Sequence, residues 1–162
     1  MALGVVPSGR EGIKLTLQAM SRITREFKKD AGVREVAARL VRKIPQYDNA
    51  AAIRALHAFV RDCIRYTGDI SEVETLQTPK ATLELGIGDC DDKSILLASL
   101  LEAIGEKTRF IAVGFGEGSG YSHVLVEVRR GPGIKWVPLE TIKPVEAGWG
   151  PANIKRRMVA HN

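Results

Sequence analysis

Residues 89–105, DCDDKSILLASLLEAIG, constrain the fold more than any other stretch. After the first turn, Ile95, Leu96, Leu97, Leu100, Leu101 and Ile104 nearly encircle a helix. Such a helix must be covered on all sides, so it belongs at the centre of the structure. It is predicted to start at Asp89 or Cys90 and to stop at Gly105, a good C-terminal signal. A chain of 162 residues suffices for one domain around it.

Three further helices precede it. Ile13, Leu17, Met20 and Phe27 recur at helical spacing across 12–29. After Gly32, a stripe of Val33, Val36, Ala37, Leu40, Val41 and Ile44 describes a second helix, which Pro45 ends. Asp48 can cap a third, with Ile53, Leu56, Val60 and Cys63 or Ile64 facing inward, ending near Tyr66. Residues 67–88 read as a long connection, a type that is often functional. Strands are predicted over 109–115, 121–129 and 134–140, with a turn at Gly131-Pro132-Gly133. Residues 152–159 are predicted as a short basic helix. Helices first and a strand meander afterwards predict an α+β fold, with helices packed on an antiparallel sheet. The expectation is a single domain over 1–162, with 1–45 a helical extension and 143–162 a basic tail.

Composition excludes several classes. Hydrophobic content of 44% and charged content of 27% are ordinary for a globular chain. No apolar run is long enough to span a membrane, and the N-terminus does not read as a secretory signal, so a cytoplasmic location is expected. The net charge of +5 is unevenly spread. Residues 1–65 carry 13 basic against 6 acidic side chains, 66–128 carry 4 against 11, and 129–162 carry 7 against 2. The basic flanks predict either internal compensation or an acidic partner. With 6% aromatics and none interleaved with the basic clusters, the sequence argues against nucleic acid as partner. Two cysteines, Cys63 and Cys90, give no disulfide framework and no metal spacing. No cofactor or metal is expected. Gly86-Ile87-Gly88 is not a phosphate loop, because three aspartates follow and no Gly-Lys-Ser/Thr is present.

The chemistry concentrates at Cys90. It opens the buried helix, where unpaired N–H groups and the helix dipole favour a thiolate, although Asp89, Asp91 and Asp92 oppose this. Asp89 is expected to cap the helix and Asp92 to make a local structural hydrogen bond. Cys63 reads as core. A nucleophilic cysteine needs a base. His57 sits on an early helix without an evident role, and His161 is at the C-terminal tip. His123, on a strand predicted to cross the core and just after the Tyr121-Ser122 break, is placed like a base. The midpoint of positions 123 and 140 falls within the Gly131–Gly133 turn, so Glu140 should lie opposite His123 or one residue off. There it could hold the imidazole in one tautomer.

The motifs GDCDDKS, SHVLVEV and WVPLE, in that order, resemble the transglutaminase-like superfamily of papain-like cysteine enzymes. The lead-in AFVRDCIRYTGD and TPKATLELGIGDC belongs to the same likeness, which covers roughly residues 50–142. The resemblance implies a nucleophile helix packed on an antiparallel sheet, with Cys90 as nucleophile, His123 as base and Glu140 as third member. The family usually has Asp at the last position, and many members have Ala-Trp after the histidine where this chain has Val124 and Leu125. Small single-domain members in bacteria and tailed phages imply such a source, with virion association in the phage case. The implied activity is acyl transfer on a peptide or related amide, with hydrolysis somewhat ahead of crosslinking. Oxyanion donors would be the Cys90 N–H with Gln77 or Tyr66. The alternative is a non-catalytic structural or interaction module with the same fold.

Overall fold

The computed structural model describes residues 9–68, 75–118 and 120–162. Parts of the expected 67–88 connection and of the Gly-rich 116–120 loop therefore lie outside the described residues. The chain runs through α1 (Gly9–Phe27), α2 (Ala31–Val41), α3 (Asn49–Cys63), β1 (Arg65–Tyr66), α4 (Pro79–Leu85), β2 (Ile87–Gly88), α5 (Cys90–Ala103), β3 (Thr108–Gly114), β4 (His123–Arg130), β5 (Lys135–Leu139) and β6 (Arg156–His161). The architecture is the expected α+β: helices packed on a four-stranded antiparallel sheet of order β5-β4-β3-β6.

α5 takes the central position that its sequence demands. Ile95, Leu96, Leu97, Leu100 and Leu101 have no exposed surface. They share one core with Leu17 and Met20 of α1, Val33 and Ala37 of α2, Leu56 and Val60 of α3, and the sheet residues Phe110, Ala112, Val124, Val126 and Val128. Side chains alternate along β4, so Val124, Val126 and Val128 meet α5. Leu125 packs on the other face with Ile111 and Val113. Asp30 and Asp48 cap α2 and α3 by accepting from Val33 N–H and Ala51 N–H.

Four expectations are corrected. Residues 79–85 of the expected connection form α4, with Thr78 as cap and Pro79 in the first turn, where proline's missing N–H costs nothing. Residues 156–161 form strand β6, not a helix. They pair with β3 more than forty residues earlier, from Arg109↔His161 to Gly114↔Arg156. Such a non-local ladder overrides local helix preference. Consequently His161 is fixed, its ring meeting Trp136 edge-on at 5.6 Å. Cys63, the last residue of α3, is exposed; Val60 and Ile64 fill the inward positions instead.

The β4–β5 register is shifted from the one expected. The turn includes Ile134, whose φ of 44° removes it from the strand, so the loop is centred one residue later. The pairs run from Val126↔Leu139 to Arg130↔Lys135. Continued by one residue, this register sets Glu140 across from Leu125, two positions from His123. A shift of two preserves the face, whereas a shift of one would have reversed it.

Candidate active site

The loop before α5 is built around its first turn. Asp89 and Asp92 form a reciprocal cap: Asp92 N–H donates to Asp89 Oδ1 at 2.9 Å, and Asp89 N–H donates to Asp92 Oδ2 at 3.2 Å. Asp92 Oδ1 also accepts from Gln77 N–H at 2.8 Å, which ties the segment before α4 to α5. Both aspartates thus have the structural roles expected of them. The parallel pairing of β1 with β2 sets Tyr66 beside Gly88. Gly88 leaves no room for a side chain, since a Cβ there would lie 2.8 Å from Asp92 Cβ. The glycine is a requirement of the cap.

These constraints deliver Cys90 to the rim of a cleft of about 210 Å³. Tyr66, Leu76, Tyr121 and His123 line the same cleft, and Ile13 of α1 borders it. The Cys90 sulfur is 3.6 Å from Asp91 Oδ1. Burial first, and then the Asp91 and Asp89 carboxylates, push the thiol well above its ordinary range. The Val124 backbone N–H favours the thiolate but does not offset them. The resting group is a thiol, so the dipole argument for a thiolate loses to desolvation and local charge.

His123 opens β4 and lines the same cleft. Its Nε2 is 2.6 Å from Glu140 Oε2. The Glu140 side chain is only 2% exposed, and its Oε1 accepts from Ile142 N–H at 2.8 Å. Burial alone would raise the Glu140 carboxyl; the His123 hydrogen bond and the Ile142 and Thr141 N–H groups outweigh it and leave the group below its usual value. An ionised carboxylate can only accept, so Nε2 carries hydrogen. In the neutral ring Nδ1 is then the basic nitrogen, and it has no hydrogen bond to any described residue.

Of the predicted site residues, the structure brings Cys90, His123 and Tyr66 to one cleft and pairs Glu140 with His123. It does not bring Gln77 there. That side chain accepts from Thr82 Oγ1 at 3.4 Å, and Gln77 is not among the residues lining the cleft.

Two residues escaped the sequence reading. His57 is buried, and its Nε2–H donates to the Glu140 backbone carbonyl at 2.5 Å. Burial lowers its pKa, so it is neutral. The available signal was its place on the inward stripe with Ile53, Leu56 and Val60, because a buried polar group must find a partner. Lys93 is fully buried in α5 and donates to Ile64 O at 2.6 Å and Arg61 O at 3.2 Å, at the end of α3. No sequence feature pointed to that contact.

A helix-borne cysteine packed on an antiparallel sheet, with a histidine that lines the same cleft and is paired with a carboxylate, defines a papain-like architecture. The sequence model of the Transglutaminase-like superfamily matches residues 34–141, and the chain belongs to that superfamily. The match begins inside α2, earlier than the expected residue 50, and ends just after Glu140. No curated protein sequence matches the chain.

Among solved structures, similarity extends to calcium-bound LapG of Legionella pneumophila. That structure has a TM-score of 0.60 at 14% identity, covering 86% of this chain and 80% of that one. A candidate protease of Parabacteroides distasonis has a TM-score of 0.59 at 15% identity, covering 80% of this chain and 28% of that one. A candidate cysteine protease of Cytophaga hutchinsonii has a TM-score of 0.56 at 16% identity, covering 81% and 46% respectively. The chain therefore spans less than half the length of the latter two. Among the described residues no helix is long and apolar enough to cross a membrane.

Proposed function

We propose that the chain is a cysteine-dependent acyl-transfer enzyme acting on a peptide or related amide through Cys90, His123 and Glu140. The observation that carries this reading is the 2.6 Å His123–Glu140 pair at the cleft that Cys90 shares. Glu140 fixes the tautomer, so Nδ1 of His123 takes the Cys90 proton as sulfur attacks the carbonyl. The Cys90 N–H and the Tyr66 hydroxyl are the donors suited to the developing oxyanion. His123 then returns the proton to the leaving amine, and a second nucleophile releases the acyl group from sulfur.

Hydrolysis is favoured over crosslinking. Ser122, next to the base, is exposed, and the His123 side chain is itself 17% exposed, so water can reach an acyl-enzyme. Two structural neighbours are described as candidate proteases, in keeping with this choice. A non-catalytic module is the second reading, and the Asp91 carboxylate 3.6 Å from the sulfur favours it, because it opposes thiolate formation.

The deciding experiment treats the chain with peptide-based electrophiles and maps adducts by mass spectrometry. A Cys63→Ser background is needed, because Cys63 is exposed. Enzymatic function predicts an adduct on Cys90 that disappears in His123→Ala. Adduct formation at an ordinary surface-thiol rate, unchanged by that substitution, would leave the module reading.

A further inference from the structure

A second groove, of about 880 Å³, lies apart from the Cys90 cleft and has no role in the chemistry above. One wall is α1. Arg10, Lys14, Ser21 and Arg25 line the groove at spacings that keep them along one side of the helix, and Arg22 flanks them. The other wall is residues 158–161 of β6. Consecutive strand residues point to opposite faces, so a groove touching all four runs along the strand's edge. Among the described residues β6 is the terminal strand of the sheet, so one row of its backbone N–H and C=O groups has no ladder partner there.

The groove is cationic and uncompensated. Arg10, Lys14, Arg22 and Arg25 face only Glu11 among its lining residues. Among the described residues none of the four forms an ion pair. Ser21 Oγ is buried and has no hydrogen-bond partner among the described residues.

We propose that this groove binds an extended acidic segment of a polypeptide, which adds a strand to β6 and sets its carboxylates against the cations of α1. A peptide backbone alternates donor and acceptor as an open strand edge does, whereas a nucleic acid does not. Among the described lining residues His161 is the one ring, and it is already engaged by Trp136, which leaves no base-stacking platform among them. The proposal stands independently of the role of Cys90. The groove and the cleft share no lining residue, but adjacent residues of α1 line them, Ile13 the cleft and Lys14 the groove.

The test is fluorescence polarisation of a labelled alternating Glu-Val decapeptide against the whole chain. The expected result is saturable, salt-sensitive binding that weakens roughly tenfold or more in Arg22→Glu/Arg25→Glu. Should that variant misfold, a second arm uses the unaltered protein with a peptide N-methylated at alternate backbone nitrogens. This peptide keeps its charge but cannot complete a ladder, so it should also bind about tenfold more weakly or worse. Equal binding of the methylated peptide would overturn the strand-addition proposal. So would absence of binding, or displacement of the peptide by a thymidine oligonucleotide at lower concentration than by unlabelled peptide.

Discussion

Replacing Glu140 with Gln tests the hydrogen-bond logic of the site most sharply. The substitution keeps shape and volume, and the amide oxygen can still accept from Ile142 N–H, as Oε1 does at 2.8 Å. The amide NH2 must then face His123 Nε2, which donates across 2.6 Å in the native pair. Two donors cannot share that gap, so the ring moves its proton to Nδ1 and uses Nε2 as acceptor. Under the proposed mechanism Nδ1 can then no longer accept the Cys90 proton. A wrong tautomer of this kind costs on the order of 10²–10⁴-fold in rate. Loss of a buried charged hydrogen bond costs about 1.5–3 kcal/mol of stability. For a chain of this size that corresponds to roughly 3–12 °C in Tm.

The pH dependence has a fixed sign. Glu140 is held below its ordinary value when folded. Its contribution is therefore full above its unfolded pKa of about 4.3 and is lost as pH falls through the lower folded value. The Tm gap between the native protein and Glu140→Gln should be widest near neutrality and close in acid. The rate assay is iodoacetamide alkylation of Cys90 in a Cys63→Ser background. Native alkylation rates and an unchanged Tm at neutral pH in Glu140→Gln would refute the claim that this pair controls the sulfur's proton.

Asp91→Asn should speed Cys90 alkylation near neutral pH by about three- to tenfold, because it removes a carboxylate that holds the thiol up; a rate versus pH profile for each protein reads this directly. His57→Phe should lower stability by about 1–3 kcal/mol by orphaning the Glu140 carbonyl, measured by urea denaturation. Burial keeps His57 neutral with a lowered pKa, so the native chain loses stability as pH falls below about 6.5 and towards the folded value, and this part of the slope should vanish in His57→Phe.

The sequence carried the elements whose causes are local. α5 was legible because an apolar surface around a whole helix has one solution, and its start was legible because Asp89 and Asp92 are spaced to cap it. Elements whose causes are distant were not. β6 exists because β3 offers it an edge, and nothing in RRMVAH announces that partner. Glu140 was placed on the right face by the wrong register. Ile134 adopts a positive φ that a non-glycine residue seldom takes, and the resulting shift of two happened to conserve parity. The partners of His57 and Lys93 were invisible for a related reason. Each of these two side chains donates to a backbone carbonyl at the end of another element, and a carbonyl has no sequence signature.

The register shift also bears on the choice of Glu at position 140. The carboxylate must reach His123 from a backbone position two residues beyond direct opposition. Glutamate has the extra methylene for that reach, and the chain restrains it at both ends. His57 holds the backbone carbonyl, and Ile142 N–H holds the far carboxylate oxygen. The site thus invests most of its fixed hydrogen bonds in the base, whereas the thiol has only the Val124 N–H in its favour and surroundings that raise it more. In the proposed mechanism, proton removal from Cys90 therefore falls to the His123–Glu140 pair. Asp91 and Glu140 then act on one quantity, the ease with which sulfur gives its proton to Nδ1, from opposite sides. In a double-mutant cycle, Glu140→Gln should cost measurably less in alkylation rate once Asp91→Asn has eased ionisation. Additive effects would mean that the two carboxylates serve separate ends.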